Sequence, residues 1–260
     1  MHGGDVANPV LDRQWSDQAT DGTQLTDAGP VVAPASPTTD RVMTISGTIR
    51  ITGLLLGIVI AFGAWGWTLV TPGQGWPAWL WVVIIASFVG AIVMVFRPQL
   101  SPLLAPAYAA GMGLALGGIS RVYEAAFSGI VLQAVLATAV VFIVMLVLYV
   151  TRTIRVTERM RGVVIGATLG IAVFYLASFV LALFGASVPL VWDTGLFGIL
   201  FSAAVIVVAA FNLMLDFDVI ERGAAASAPP YMEWYAAFGL MVTIIWLYLE
   251  MLRLLGKIRS

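Results

Sequence analysis

A chain of 260 residues in which 60% are hydrophobic and only 10% charged is not an ordinary soluble domain, since such domains carry about 25% charged residues. It has no cysteine and one histidine, His2, which excludes a disulfide framework, a thiolate metal centre, a cysteine nucleophile and a Ser–His pair in the apolar region. The net charge of −1 hides an acidic start: residues 1–40 hold six acids and one base, and the remainder holds twelve bases and eight acids.

Residues 1–42 are rich in Asp, Thr, Pro, Gly and Ala and show no sustained apolar period. Such a segment cannot bury enough surface to offset its ordering entropy, so it is predicted to be a disordered tail. It lacks the basic start and apolar run of a secretory signal.

From residue 43 onward, apolar runs recur near 51–70, 77–96, 103–120, 129–150, 163–184, 195–215 and 234–252. Each approaches the roughly 20 residues needed to span about 30 Å of hydrocarbon, which predicts an all-α polytopic membrane domain of seven helices over 43–260. The third run carries Gly111, Gly113, Gly117 and Gly118, a composition suited to close helix packing. Turn chemistry separates the runs at Thr71-Pro72-Gly73, Arg97-Pro98 and Ala228-Pro229-Pro230. Trp65, Trp67, Trp76, Trp79 and Trp81 gather around the first break, as an interfacial belt would.

With the N-terminus cytoplasmic, that side holds Arg41, Arg50, Arg97, Arg152, Arg155, Arg159, Arg161 and Arg222, and the opposite loops hold Arg121. Arg253, Lys257 and Arg259 dissent, because seven full crossings place them outside. Either the early charges dominate or the last helix crosses incompletely.

Arg121, Asp193, Glu221 and Glu233 are expected in loops or headgroups. Asp216 and Asp218 instead follow a long apolar run with no glycine or proline between, in Asn212-Leu-Met-Leu-Asp-Phe-Asp-Val-Ile-Glu221. Continued as a helix, the segment sets 212 and 216 on one face and 218, 221 and 222 on another. Carboxylates are disfavoured near a helix C-terminus, so this cluster needs partner cations, protonation or water. Glu250 has Arg253 three positions on, a spacing that permits a local ion pair.

At these residues the chain resembles the Bax inhibitor-1 family of seven-helix membrane proteins. The resemblance covers about 43–260 and rests on the Asp216 segment, on Pro106-Ala-Tyr-Ala leading into the glycine-rich third helix, on Gly118-Ile-Ser, on Val131-Leu-Gln-Ala-Val and on the ending Leu252-Arg-Leu-Leu-Gly256. It implies six helices packed around a central seventh, and a pH-responsive pair of carboxylates between helices six and seven, latched by an arginine ending helix two. Asp216 matches the helix-six acid and Arg97, in Met94-Val-Phe-Arg97, the arginine. The helix-seven acid maps either to Glu250, through Leu247-Tyr-Leu-Glu250, or to Thr243, through the terminal motif, and Gln133 stands where some relatives have an acid. Helical rise favours Thr243, since Glu250 lies nearly across the membrane from Asp216.

The expectation is a pH-sensitive cation leak or ion-homeostasis protein of the cell membrane, not an enzyme. Asp216 and Arg97 form its latch, and Thr243, Glu250, Asp218 and Gln133 are candidate ion-transit residues. Its partners are the lipid bilayer, calcium and another membrane protein, with no nucleic acid and no cofactor. The rival reading is a non-conducting protein that modulates another membrane component such as a protease.

Overall fold

Seven helices make up nearly all of the chain that the structure, a computed structural model, describes: residues 41–74, 77–184 and 194–260. They are α1 (Ile45–Leu69), α2 (Ala78–Phe96), α3 (Ser101–Ala126), α4 (Ile130–Val150), α5 (Glu158–Leu183), α6 (Leu196–Ala225) and α7 (Tyr231–Arg259), with a 3-10 turn (Pro98–Leu100) between α2 and α3. All seven are long and apolar enough to cross a membrane. The chain is therefore an all-α, multi-pass membrane protein. The tail expected over 1–42, apart from its last two residues, lies outside the described residues, as do Trp76 and Asp193.

Several helices outrun their apolar segments, because capping and not hydropathy decides where a helix ends. The Thr44 hydroxyl caps α1 by accepting from the Gly47 N–H at 2.9 Å, so α1 begins at Ile45 and not near 51. The carboxylate of Glu233, from α7, accepts from both the Thr44 N–H and its hydroxyl at 2.8 Å and lies directly over Gly47. A negative charge is favoured at this end of a helix. α6 runs to Ala225 and closes with Ser227 N–H to Ala224 carbonyl and Ala228 N–H to Gly223 carbonyl, at 3.1 and 3.0 Å. These are the paired bonds of a Schellman cap. Arg121, Glu221 and Glu233, expected in loops or headgroups, are helical and not in loops. A 30-residue helix is about 45 Å long and carries its polar last turns through the headgroup layer.

The last helix is the hub, packing against α1, α3, α4, α6 and the 3-10 turn. The ring around it is uneven: α2 leans mainly on α3, and α5 on α6. Two apolar clusters share α7. One joins Ile130, Met145, Leu213, Met214 and Leu247; the other joins Leu55, Met94, Ala109, Ala237 and Met241. The glycines of α3 close the bundle as their composition predicts. A Cβ at Gly117 would run into the Gly63 carbonyl, and one at Gly113 would sit 2.7 Å from the Val59 carbonyl. Only glycine lets α1 and α3 approach this closely.

Candidate functional site

Three polar levels run through the bundle. The innermost centres on Asp216. It lies nine residues, about 14 Å, inside the C-terminal end of α6. Its Oδ2 is buried and has no hydrogen-bond partner. From α7 it faces the Thr243 hydroxyl and Gly239, where a Cβ would lie only 3.7 Å from Oδ1. That hydroxyl also donates to the Gly239 carbonyl at 3.2 Å. One turn earlier on α6, Asn212 donates to the Thr168 hydroxyl of α5 at 2.7 Å. An ionisable group buried inside a bundle of apolar helices is expensive, which makes Asp216 the candidate functional group.

Of the two candidates for its α7 counterpart, Thr243 is the one beside Asp216. Glu250 lies seven residues, about 10 Å, further along α7 toward the opposite end. There it is buried, 1% exposed, and paired with Arg253 at 2.7 Å. Tyr175 of α5 completes the group: its hydroxyl donates to Glu250 at 2.9 Å and accepts from Arg253 at 2.6 Å. The guanidinium also lies 4.9 Å from the Tyr175 ring centroid, a cation–π contact. The other carboxylate oxygen, Oε2, is buried without a partner. The local pair expected from spacing is present, but inside the bundle and not at its surface.

The third level closes the end where α6 finishes. Asp218 is 8% exposed and binds both Arg161 of α5 and Arg222 of its own helix. Glu221 accepts from Arg152, in the α4–α5 loop, and from the Tyr149 hydroxyl. The hydrogen bond from Arg152 to Glu221 raises the guanidinium pKa further above its ordinary value. Asp218 and Glu221 have the partner cations that their place near a helix C-terminus required, while Asp216 has none, and three of the four groups bonded to them come from α4, α5 and their loop.

Arg97 ends α2 at this same end of the bundle, because the following turn packs on the start of α7 and Ser101 donates to the Tyr231 carbonyl at 2.9 Å. Its side chain is exposed and forms no ion pair among the described residues, so the contact with Asp216 implied by the resemblance is not made in this arrangement. Gln133 lies at the opposite end, accepting from Arg259 at 2.7 Å, and does not meet Asp216. The C-terminal basic residues that dissent from the charge bias are each engaged within the bundle. Arg253 pairs with Glu250, Lys257 donates to the Gly198 carbonyl at 3.0 Å, and Arg259 donates to the Ser128 carbonyl and Gln133.

One signal in the sequence went unread. Arg161, Thr168 and Tyr175 recur every seven residues on α5, which keeps them on one face. Each meets a different polar level: Asp218, Asn212, and Glu250 with Arg253. The rest of α5 is largely exposed to the surroundings of the bundle, so this polar stripe, with the contact of Phe174 on Phe201, ties it to α6 and α7.

Compared with known proteins, residues 8–260 match the family described as Bax inhibitor 1 like. No curated protein and no solved structure matches the chain.

Proposed function

The chain belongs to the Bax inhibitor 1 like family, and on that premise we propose that it is a pH-sensitive cation leak or ion-homeostasis protein of the cell membrane, with calcium among its ions. The observation that carries this reading is the buried, unpartnered Oδ2 of Asp216 beside the hub helix. When ionised, a carboxylate there attracts a cation and favours the arrangement latched by Arg97; protonation removes that attraction. Calcium takes six to eight oxygens. Asp216, the Thr243 hydroxyl and a backbone carbonyl supply only part of that set, with water supplying the rest, which suits a site of passage over one of storage.

Arg97 remains the latching cation in this reading. It carries no carboxylate partner of its own among the described residues, and it must approach Asp216 by a shift of α2 relative to α6. The end of the bundle bearing Arg97, Arg152 and Arg222 faces the cytoplasm, as the distribution of basic residues directs.

The test is calcium entry into proteoliposomes across a range of pH. Wild-type protein should conduct with a pH dependence that Asp216→Asn removes. Flux equal to empty vesicles at every pH would overturn the reading in favour of a non-conducting interaction protein. For the latch, a double-mutant cycle between Asp216→Asn and Arg97→Ala should be non-additive, and additivity would rule it out.

A further inference from the structure

The α4–α5 loop and the end of α6 enclose a cavity of ≈ 400 Å³ whose walls include Arg152, Arg155, Arg222, Asp218 and Tyr149. We propose that it binds the phosphodiester of an anionic glycerophospholipid headgroup.

The argument rests on which groups are already engaged. Both oxygens of Asp218 are taken, one by Arg222 at 3.0 Å and the other by Arg222 and Arg161. Both oxygens of Glu221 are taken, one by Arg152 and one by Tyr149. Neither of these two carboxylates is left without a donor. The donors are in excess: Arg155 forms no ion pair among the described residues, and the side chains of Arg152 and Arg222 are 56% and 53% exposed. A guanidinium carries five N–H groups in a fork suited to phosphate. With Glu158, three acids face the four arginines 152, 155, 161 and 222, which leaves one positive charge, matched to a phosphodiester.

Two features point to a lipid over a soluble phosphate. The cavity lies where two membrane-crossing helices, α4 and α6, end, and its lining also includes Ile154 and Val156, both partly buried against the apolar core. A headgroup with its first acyl carbons has that amphiphilic shape. The site is also set in advance. Arg152 sits at φ 56°, at the position a helix end usually gives to glycine, and Glu221 holds it there. A zwitterionic ethanolamine headgroup would bring an ammonium to carboxylates that are already paired, so a glycerol headgroup is preferred.

The test is native mass spectrometry of the full-length protein in detergent, titrated with dioctanoyl phosphatidylglycerol, phosphatidylethanolamine or phosphatidylcholine, or with inorganic phosphate as competitor. Wild type should retain phosphatidylglycerol over the two zwitterionic lipids. Arg155→Ala should weaken retention about fivefold and Arg155→Glu more strongly. Arg50→Ala, an exposed arginine in α1 with no ion pair, should leave retention unchanged. Equal loss in Arg50→Ala and Arg155→Ala would show only a diffuse basic surface and overturn the proposal. So would unchanged retention in Arg155→Glu, or displacement of the lipid by inorganic phosphate at equal concentration. Because Arg155 bridges no other residue, its variants should fold, and a melting curve in the same detergent verifies this.

Discussion

At one end of the bundle Asp218 and Glu221 face arginines from α5, α6 and a loop, with Arg152 and Arg222 more than half exposed. At the other, Glu250 and Arg253 are 1% and 23% exposed and bracketed by Tyr175. The residue types are the same, and the difference is water. Exposed pairs contribute about 0–1 kcal/mol, whereas breaking a buried pair from one side costs about 3–5 kcal/mol, because the remaining charge is stranded in low dielectric. The first end can exchange partners at little cost and so suits ligand binding; the second fixes helices in place. The sharpest way to break this contrast is Arg253→Met. It should cost about 3–5 kcal/mol and sharply reduce folded protein in size-exclusion profiles, and adding Glu250→Gln should recover much of the loss. If Arg253→Met melts like wild type, Glu250 is not buried as a charged group and the two ends are alike.

Asp218 lies between the extremes, its side chain 12% exposed although both its partners are wetter. Asp218→Asn should cost about 2 kcal/mol by weakening two charge-assisted hydrogen bonds, measured by thermal melting in a single detergent. A loss as large as that of Arg253→Met would move this end into the buried class.

The contrast between the ends was only half legible in the sequence. The i, i+3, i+4 rule placed Asp218, Glu221 and Arg222 together, and the cost of carboxylates at a helix C-terminus required partners for them. Which arginines answer is a matter of tertiary contact: Arg161 comes from α5 and Arg152 from a loop, 57 and 69 positions away in the chain. At the other end, the spacing of Glu250 and Arg253 gave the pair but not its burial, because Tyr175 covers it from a helix whose own apolar run conceals the polar face. The glycines of α3 were readable because close packing demands them whatever the partner. Arg97 was matched to Asp216 by resemblance, and contact between them depends on an inter-helix distance that no residue pattern encodes.

The polar stripe on α5 links the two ends, and its middle member tests whether the levels act separately. Thr168→Val removes the hydroxyl that accepts from Asn212 and keeps the side-chain shape. The expected cost is about 0.6–1 kcal/mol, since hydrogen bonds between membrane helices average near the low end of that range. Combined with Asp218→Asn, whose partner Arg161 lies seven residues before Thr168 on α5, the effects should add in melting experiments. Strong coupling would mean that α5 binds as a single unit and that the ends are not independent.

The smallest expected effect separates backbone strain from ion pairing at Arg152. The end of α4 forms the paired bonds of a Schellman cap, Arg152 N–H to the Tyr149 carbonyl at 3.0 Å and Thr153 N–H to the Leu148 carbonyl at 3.1 Å. That cap puts Arg152 at φ 56°, where a Cβ is disfavoured and glycine is not. An arginine is tolerated there because its guanidinium reaches Glu221 and lies 5.5 Å from the Tyr149 ring centroid. Arg152→Ala loses these contacts and keeps the strain; Arg152→Gly loses the contacts and relieves it. The glycine variant should therefore melt above the alanine variant by about 1–2 °C, with wild type close to the glycine variant. Raising the salt to about 1 M should pull wild type down toward alanine, because the Debye length falls to about 3 Å and an exposed pair is screened. An alanine variant that melts with or above the glycine variant would mean that the loop relaxes out of the left-handed conformation, and that this end of the bundle stores no strain in holding its arginine toward Glu221.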